Sequence, residues 1–246
     1  MEVHHHSHTE RKKWTHYLWE FLMLFLAVFA GFLAENWREH IVEHKREKGY
    51  VLSLIEDLKI DTGKIRRYID RRVIKQRLMD SLADLLVSGK HEESGNDIYY
   101  FARFVTITYP FISSDGTLQQ LKNSGGLRLI RKQKVVDSIM AYDGIVKYIQ
   151  YIDEKSQATE NTFREIAGEA FDARFFKFYS AFDSNMLKKP AGNPQLITNN
   201  PLALNKISLQ VRYEASATER SIAEARNLKL RAIRLIQLLK KEYYLE

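Results

Sequence analysis

The sequence predicts an all-α protein, in which an N-terminal transmembrane helix is followed by an elongated bundle of long helices. Three observations support this prediction. Residues 21–34 form an uninterrupted apolar run of 14 residues. The chain of 246 residues contains only 4 prolines and 11 glycines, which leaves room for long unbroken helices. After the run, apolar residues recur at the three- and four-residue spacing of one helix face.

The apolar run is interpreted as the centre of a membrane anchor. Fourteen helical residues span about 21 Å, which is less than the roughly 30 Å of a bilayer core. When the segment is extended back to Tyr17, it reaches 18 residues and is interrupted only by Glu20. Because Glu20 lies near the end of the segment, its carboxylate can reach towards the headgroups.

The positions of the tryptophans support the same interpretation. All three lie at the edges of the apolar segment, as Trp14, Trp19 and Trp37. A helix places the first and last of them about 35 Å apart, as two interfacial aromatic belts require. We therefore predict a transmembrane helix at residues 17–36, preceded by a short, basic, His-containing tail at residues 1–16.

The alternative interpretation is a cleaved signal peptide, because residues 28–30 resemble a cleavage site behind a basic stretch. The chain carries the segment uncut from Met1, which favours an anchor. Cations flank it on both sides, as Arg11, Lys12 and Lys13 before it and Arg38, Lys45, Arg46 and Lys48 after it. Since a short tail with three cations is difficult to translocate, we expect a single-pass protein of the inner (cytoplasmic) membrane, with its N-terminus inside and its C-terminal domain in the periplasm.

Residues 37–246 are predicted to form the helical bundle domain. A proline-free stretch at residues 35–90 has the pattern of one long helix that can bend at Gly49 or Gly63. Residues 98–112 are ambiguous: their β-branched and aromatic content suits a strand, whereas their apolar spacing suits a helix. We interpret them as a helix because no partner strand is visible.

The second half of the domain contains two more long helices. A short helix precedes them, capped by Asp115 or Thr117 and stopped by the glycine pair 125–126. A long helix is expected at about residues 132–182, followed by a proline-rich loop at residues 183–201. The clearest amphipathic pattern then continues to the end of the chain. Long helices of this kind bury their apolar stripes by lying side by side.

Three strings of this sequence are similar to those of a known group of proteins. TLQQLKNSGGLRLIRKQKVV, AENWRE at the end of the anchor and YVLSLIEDLKID after it resemble an uncharacterised family of membrane-anchored proteins common in Bacteroidota. The likeness covers residues 17–150, although family members often carry Asn-Asn-Trp-Asn at the position of residues 35–38. The family brings no known activity, so the resemblance implies a topology and no reaction.

Two groups of histidines are candidate metal ligands. The tail contains His4, His5, His6 and His8, whose neutral imidazoles can bind metal ions. His40 and His44 have the H-x-x-E-H spacing with which inverted zinc proteases hold zinc. A flexible tail and a solvated, charged helix explain these groups more simply, and no third ligand accompanies the second group. We therefore expect no metal site and no cofactor.

A basic stripe follows one face of the long helix after the anchor. It consists of Lys64, Arg67, Arg71 and Lys75. We expect these cations to pair internally with Glu165, Glu169 and Asp172 of the later long helix. The alternative is an anionic partner, such as a cell-envelope polymer, which the formal net charge of +7 also favours. Nucleic acid is not expected, because Tyr68 is the only aromatic residue near the stripe that a base can stack on.

The anchor also carries small residues on one helical face, namely Ala27, Ala30, Gly31 and Ala34. Small residues allow two membrane helices to approach each other closely. We therefore expect two partners for the anchor, the lipid bilayer and a second copy of the chain in a homo-oligomer.

The sequence favours a non-enzymatic function. It contains no G-x-S-x-G motif, no glycine-rich phosphate loop after a strand, and no cysteine nucleophile. The favoured function is a membrane-anchored helical scaffold or partner-binding module of the cell envelope, with an unidentified envelope protein as a further candidate partner. Two alternatives stay open, a helical bundle that senses an extracytoplasmic ligand and an enzyme of unknown class.

Overall fold

The computed structural model describes residues 13–176 and 189–245, and helices are the only regular secondary structure in these two ranges. The predicted all-α fold is therefore confirmed. The five α-helices are α1 (Trp14–Val87), α2 (Gly95–Val105), α3 (Gly116–Asn123), α4 (Gln133–Ala167) and α5 (Pro201–Glu242). The chain divides into two compact units, Met1–Tyr50 and Val51–Glu246, which are described separately below.

The described part of the first unit is the N-terminal part of α1. This part contains a stretch that is long and apolar enough to cross a membrane, and none of that stretch is buried by the protein. Glu20, its one acidic residue before residue 35, accepts a hydrogen bond from His16 one turn earlier, with Nε2 and Oε1 2.9 Å apart. The apolar stretch is thus a candidate membrane span whose single internal carboxylate has a local partner.

Helix α1 is continuous from the apolar stretch into the second unit. Its helical assignment continues through Gly49 and Gly63, the two positions at which the sequence allowed a bend. A glycine within a helix costs about 1 kcal/mol relative to alanine, which a well-packed helix readily tolerates. Val51, Leu58 and Ile65 are fully buried around these glycines, and their packing keeps the helix regular.

In the second unit, α1 and α4 run parallel to each other. The residue numbers of contacting pairs increase along both helices in the same direction. Asp61 accepts a hydrogen bond from Tyr142, and farther along both helices Lys75 pairs with Glu160. Helix α5 runs in the opposite direction, as a hydrogen bond from Ser208 to the Ala83 carbonyl shows together with the Lys75–Glu214 pair. The three helices therefore form a bundle in which α5 is antiparallel to the other two.

The core of this bundle consists of two apolar clusters at different heights. One cluster joins residues 51–68 in the middle of α1, the first half of α4 and the second half of α5, around residues such as Leu58, Val135 and Leu228. The other joins the later part of α1 to α2 and to the first half of α5, around residues such as Leu82 and Ile207. Polar side chains occupy the zone between the two clusters, and they are described in the next subsection.

A connecting arm of α2, an extended segment and α3 lies against α1 and α4. Helix α2 ends at Val105, so the prediction of a helix over residues 98–112 is only half right. The backbone N–H groups of Phe111, Ser114 and Thr117 instead donate to aspartate side chains, at 3.0, 2.6 and 3.1 Å. These aspartates stand on the long helices, and they satisfy backbone groups that a helix would otherwise pair internally.

The structure confirms one of the two predicted capping signals of α3, the one at its C-terminal end. Asp115 occupies the N-cap position, and its carboxylate accepts a hydrogen bond from Gln119 rather than from the backbone. Gly125 adopts the left-handed conformation with a φ of 67°, which glycine reaches without steric cost. The prediction that the glycine pair stops this helix is confirmed.

Helix α4 is shorter than the sequence suggested. It ends at Ala167 rather than near residue 182, and the chain turns so that the buried Ala170 and Phe171 close the second apolar cluster. Residues 177–188 lie outside the described ranges, so the remaining part of the predicted helix and the first half of the predicted 183–201 loop are not described. Residues 189–200 are irregular, and Asn200 caps α5 by accepting from the Leu202 N–H at 3.0 Å.

Gly95, the first residue of α2, lies against the loop that precedes α5. Its N–H donates to the Asn193 side chain at 2.7 Å, and an added Cβ atom would collide with the backbone carbonyl of Pro194. We expect Gly95→Ala to lower the free energy of unfolding by about 1–3 kcal/mol, because overpacking forces the loop away. Urea denaturation measures this loss. Gly144→Ala is the matched control, since nothing lies within 4 Å of its added Cβ, and equal loss in both variants would contradict the prediction.

Candidate interaction site

A layer of buried polar side chains separates the two apolar clusters. Its members come from all three long helices, namely Arg72, Lys75, Asp153, Ser156, Glu160, Glu214, Thr218 and Ser221. Ionised side chains are almost never fully buried unless they are paired, because the loss of hydration costs several kcal/mol for each charge. The pairing within this layer therefore decides how the helices are held together.

Lys75 is the centre of the layer. Its ammonium group lies 2.8 Å from a carboxylate oxygen of Glu160 on α4 and 3.1 Å from one of Glu214 on α5. The other oxygen of Glu160 accepts a hydrogen bond from Thr108 of the connecting arm at 2.8 Å. One cation on α1 thus joins both other helices, and one of its carboxylate partners also holds the arm.

Arg72 and Asp153 form a second buried pair one turn away. The guanidinium and carboxylate are 2.5 Å apart, and the Tyr68 hydroxyl donates to the same carboxylate oxygen at 2.7 Å. The second oxygen of Asp153 accepts the Phe111 N–H described above. Arg72 also lies over the Tyr68 ring, 4.8 Å from its centroid, which partly compensates the lost hydration of the guanidinium.

Several polar atoms of the layer have no hydrogen-bond partner within the described protein. They are Oε2 of Glu214, Oγ1 of Thr218, Oγ of Ser156, and Nε and Nη1 of Arg72. Burial raises the pKa of Glu214 above its ordinary value, and the neighbouring Lys75 ammonium opposes this rise. The layer is therefore only partly satisfied, and its firmest contacts are those that bridge from α1 to α4 and α5.

A second feature is an open groove between α1 and α5 in the same unit. It has a volume of about 780 Å³. Its lining residues are Lys59, Thr62, Gly63, Arg66 and Arg67 from α1, and Lys229, Ile233, Ile236, Gln237 and Lys240 from α5. Five of these residues are cations and none is a carboxylate, so the groove concentrates positive charge on one surface, although Lys59 also pairs with the neighbouring Glu56 at 2.7 Å.

The walls of this basic groove follow from helical spacing. Residues 59, 62, 63, 66 and 67 share one face of α1, and residues 229, 233, 236, 237 and 240 share one face of α5. Gly63 leaves open space in the α1 wall. If a Cβ atom were added there, the nearest atom would be Nη1 of Arg67, 4.0 Å away. Ile233 and Ile236 supply apolar surface, and the Ile233 side chain is 39% exposed. The groove therefore combines an apolar floor with cationic rims.

The four residues of the predicted basic stripe do not form one surface. Arg67 lines the groove, whereas Lys64 donates to the Ser114 hydroxyl at 2.8 Å. Arg71 lies over the Tyr109 ring at 5.3 Å, and Lys75 is buried in the polar layer. The four positions stay within about 80° of the helix circumference, but different parts of the bundle lie against this face at successive heights along α1.

The prediction that Glu165, Glu169 and Asp172 are the acidic partners of the basic stripe is wrong. Among the described residues, Glu169 pairs with Lys206 at 2.9 Å and Asp172 pairs with Arg174 at 2.6 Å. Glu165 appears in none of the ion pairs of the stripe. The carboxylates that do pair with α1 lie one to four turns earlier on α4, or on α5. They were not predicted, because the parallel register of α1 and α4 is not visible in the sequence.

The candidate metal ligands are not brought together in the described part of the chain. His4, His5, His6 and His8 lie outside the described residues. Nδ1 of His44 lies 3.4 Å from a Glu47 oxygen, as a neighbour on the same helix. Within residues 13–176 and 189–245, no group of three His, Cys, Asp or Glu side chains has the arrangement of a metal site.

The residues that the sequence assigned to the membrane are all exposed on α1. Trp14, Trp19 and Trp37 are largely uncovered, and so are Ala27, Ala30, Gly31 and Ala34. Phe21, Phe25 and Phe29 stack along another side of the helix, with ring centroids 6.3 and 5.9 Å apart. A face of small residues and a face of stacked phenylalanines therefore lie on opposite sides of the candidate span.

The chain matches no protein-family model, no curated protein and no solved structure. Its similarity to the membrane-anchored Bacteroidota family therefore stays a prediction from the quoted strings.

The buried layer gives a test of how the bundle is held together. We expect Lys75→Met to lower the free energy of unfolding by about 3–5 kcal/mol, because it leaves Glu160 and Glu214 buried without their shared cation. The loss should shrink as the pH is lowered, since protonation then neutralises these carboxylates. Urea denaturation at several pH values measures both effects.

The control for this variant is Lys206→Met, which breaks the exposed pair with Glu169. Exposed ion pairs contribute about 1 kcal/mol or less, so this change should be small. A loss in Lys75→Met no larger than that of the control would show that the layer does not hold the helices together.

Proposed function

We propose that the protein is a non-enzymatic, single-pass membrane protein whose helical unit serves as a scaffold or partner-binding module of the cell envelope. The observation that carries the proposal is the exposed apolar stretch of α1, which the protein itself does not cover and which has tryptophans at both edges. Exposed apolar surface of this extent is typical of a segment whose surroundings are lipid.

The basic groove supports the partner-binding part of the proposal. Soluble surfaces usually mix charges of both signs, whereas the lining of this groove contains five cations and no carboxylate. Within the described part of the chain, only Lys59 among Lys59, Arg66, Arg67 and Lys229 has an ion pair, with Glu56. Such a surface attracts an anionic partner and raises its association rate. Binding is therefore a better account of the groove than catalysis, which requires a nucleophile, an acid or a base beside the bound substrate.

The sensor hypothesis is retained as the second candidate, because one uninterrupted helix contains both the candidate span and residues of the bundle core. A ligand that binds the bundle and shifts α1 would act on the span through a continuous helix. A disulfide cross-linking series along residues 17–36 distinguishes the two candidates, since a scaffold keeps one cross-linking pattern and a sensor changes it when ligand is added.

The proposed orientation has the N-terminus inside and the helical unit in the periplasm. We expect alkaline phosphatase fused after Glu246 to be active, because the enzyme folds only after export, and the same enzyme fused after Lys13 to be inactive. The physical reason is the cost of moving the basic tail across the membrane. Cytoplasmic-type fluorescence of a fusion after Glu246 would overturn the orientation, and release of the chain by alkaline carbonate would overturn the membrane anchor itself.

The proposed homo-oligomer uses the small-residue face of the span. We expect Gly31→Leu to weaken self-association about tenfold, because a bulky side chain keeps two backbones apart in lipid, where apolar bulk alone gives little drive to associate. Sedimentation in mild detergent measures the change.

Gly49→Leu is the matched control for this prediction, since Gly49 also has nothing within 4 Å of an added Cβ and lies outside residues 17–36. It should leave self-association unchanged. Monomeric wild-type protein in both detergent and native membranes would rule out this interface.

A further inference from the structure

The basic groove is one of the long grooves between the three helices of the bundle. The groove between α1 and α4 is covered by the connecting arm, whose backbone and side chains bind Asp61, Asp153 and Glu160 along its length. Among the described residues, no corresponding segment lines the groove between α1 and α5. The α1/α4 groove binds the arm through both carboxylates and cations, whereas the lining of the α1/α5 groove contains cations and no carboxylate.

We propose that the basic groove binds an acidic amphipathic helix of a partner protein. The cations on its two rims, with Arg66 and Arg67 on α1 and Lys229 on α5, are complementary to carboxylates on both flanks of such a helix. Arginine guanidinium groups such as those of Arg66 and Arg67 pair with carboxylates in a planar, two-bond geometry. This inference names the partner class and therefore rests on the partner-binding part of the proposed function.

The apolar floor favours an amphipathic helix over a purely ionic polymer. Ile233 and Ile236 offer little to a polyanion, but they give contact area to leucine-type side chains at i, i+3, i+4 and i+7. Gly63 adds room at the α1 wall, where a partner backbone can approach closely. The lined stretches of α1 and α5 extend over about 12 and 16 Å, which corresponds to two or three turns of a docked helix.

A second copy of this chain is a poor occupant of the groove. The chain has a formal net charge of +7, and two grooves that face each other bring ten cations together without a carboxylate from either lining. The proposed self-association uses the small residues of the span instead. The groove is therefore assigned to a different, acidic protein.

The test uses the purified full-length chain in detergent micelles and synthetic fluorescent peptides of about 16 residues. Each peptide is a helix with leucines on one face and glutamates along both flanks, and a panel of three peptides varies the leucine register. A matched panel replaces every glutamate with glutamine. Inorganic polyphosphate is a separate probe for a purely ionic site. Fluorescence anisotropy measures peptide binding, and calorimetry measures polyphosphate binding.

One pair of variants tests the shape of the site without changing its charge. Gly63→Leu fills the groove, whereas Gly144→Leu introduces the same side chain at an open position of α4. Both replacements favour helix formation, so neither is expected to unfold the bundle. We expect Gly63→Leu to weaken binding of the glutamate peptide at least about tenfold and Gly144→Leu to leave it unchanged.

A second pair tests the charge. Lys229→Glu reverses a cation of the groove, and Arg220→Glu makes the same change nine residues earlier on the exposed opposite side of α5. We expect Lys229→Glu alone to weaken binding of the glutamate peptide by about tenfold or more. The glutamine peptides should bind more weakly than the glutamate peptides to the wild-type chain.

The inference is overturned if no glutamate peptide binds, or if polyphosphate binds and Gly63→Leu leaves all binding unchanged. The first result excludes an acidic helix, and the second identifies the groove as an ionic surface without shape selection. Both results are independent of membrane insertion, because carbonate extraction tests the anchor separately. A chain that stays in the membrane but binds no peptide thus contradicts this inference and leaves the membrane anchor standing.

Discussion

The arrangement of the bundle depends on the ammonium group of Lys75, which lies between carboxylates from two other helices. Two helices that pack through apolar stripes can adopt several registers with small differences in free energy. A buried cation is stable only in the register in which its carboxylate partners face it. Once α1 is fixed against α4 and α5 at this height, the contacts above and below follow. These include the pairs of Arg212 with Asp80 and Asp84 at the surface.

The basic groove is a consequence of that register. Its two walls come from parts of the chain that are far apart in sequence, and a shift of α5 by one turn would place different side chains opposite Gly63. The same helix α1 therefore serves three neighbours with different faces: the core, the connecting arm and the groove. This division explains why α1 carries so many charges although most of its length belongs to a packed unit or to the candidate span.

Local features of the structure were predictable from the sequence, whereas long-range pairing was not. The all-α class, the N-terminal start of α5 and the glycine stop after α3 depend on spacing and on residues next to one another. The extended segment before α3 depends on Asp61, which stands 53 residues before its partner Ser114. Lys229 and Lys240 were missed for the same reason, because a regular cationic spacing on α5 identifies a groove only after α1 has been placed beside it.

Two buried carboxyl groups of this bundle, those of Glu214 and Asp61, take up protons on folding. Burial raises the pKa of Glu214 above its ordinary 4.5 and that of Asp61 above 3.8, although Lys75 and Tyr142 respectively oppose these shifts. In the pH range between the ordinary and the raised pKa, the folded chain holds more protons at these positions than the unfolded chain does. Their contribution to the free energy of unfolding is therefore largest below pH 4 and declines as the pH rises through that range. These two carboxyl groups thus favour the folded bundle in mild acid, whereas Asp143, Asp172 and Glu242, whose pKa values are held below the ordinary ones by hydrogen bonds from lysine or arginine, favour it at higher pH.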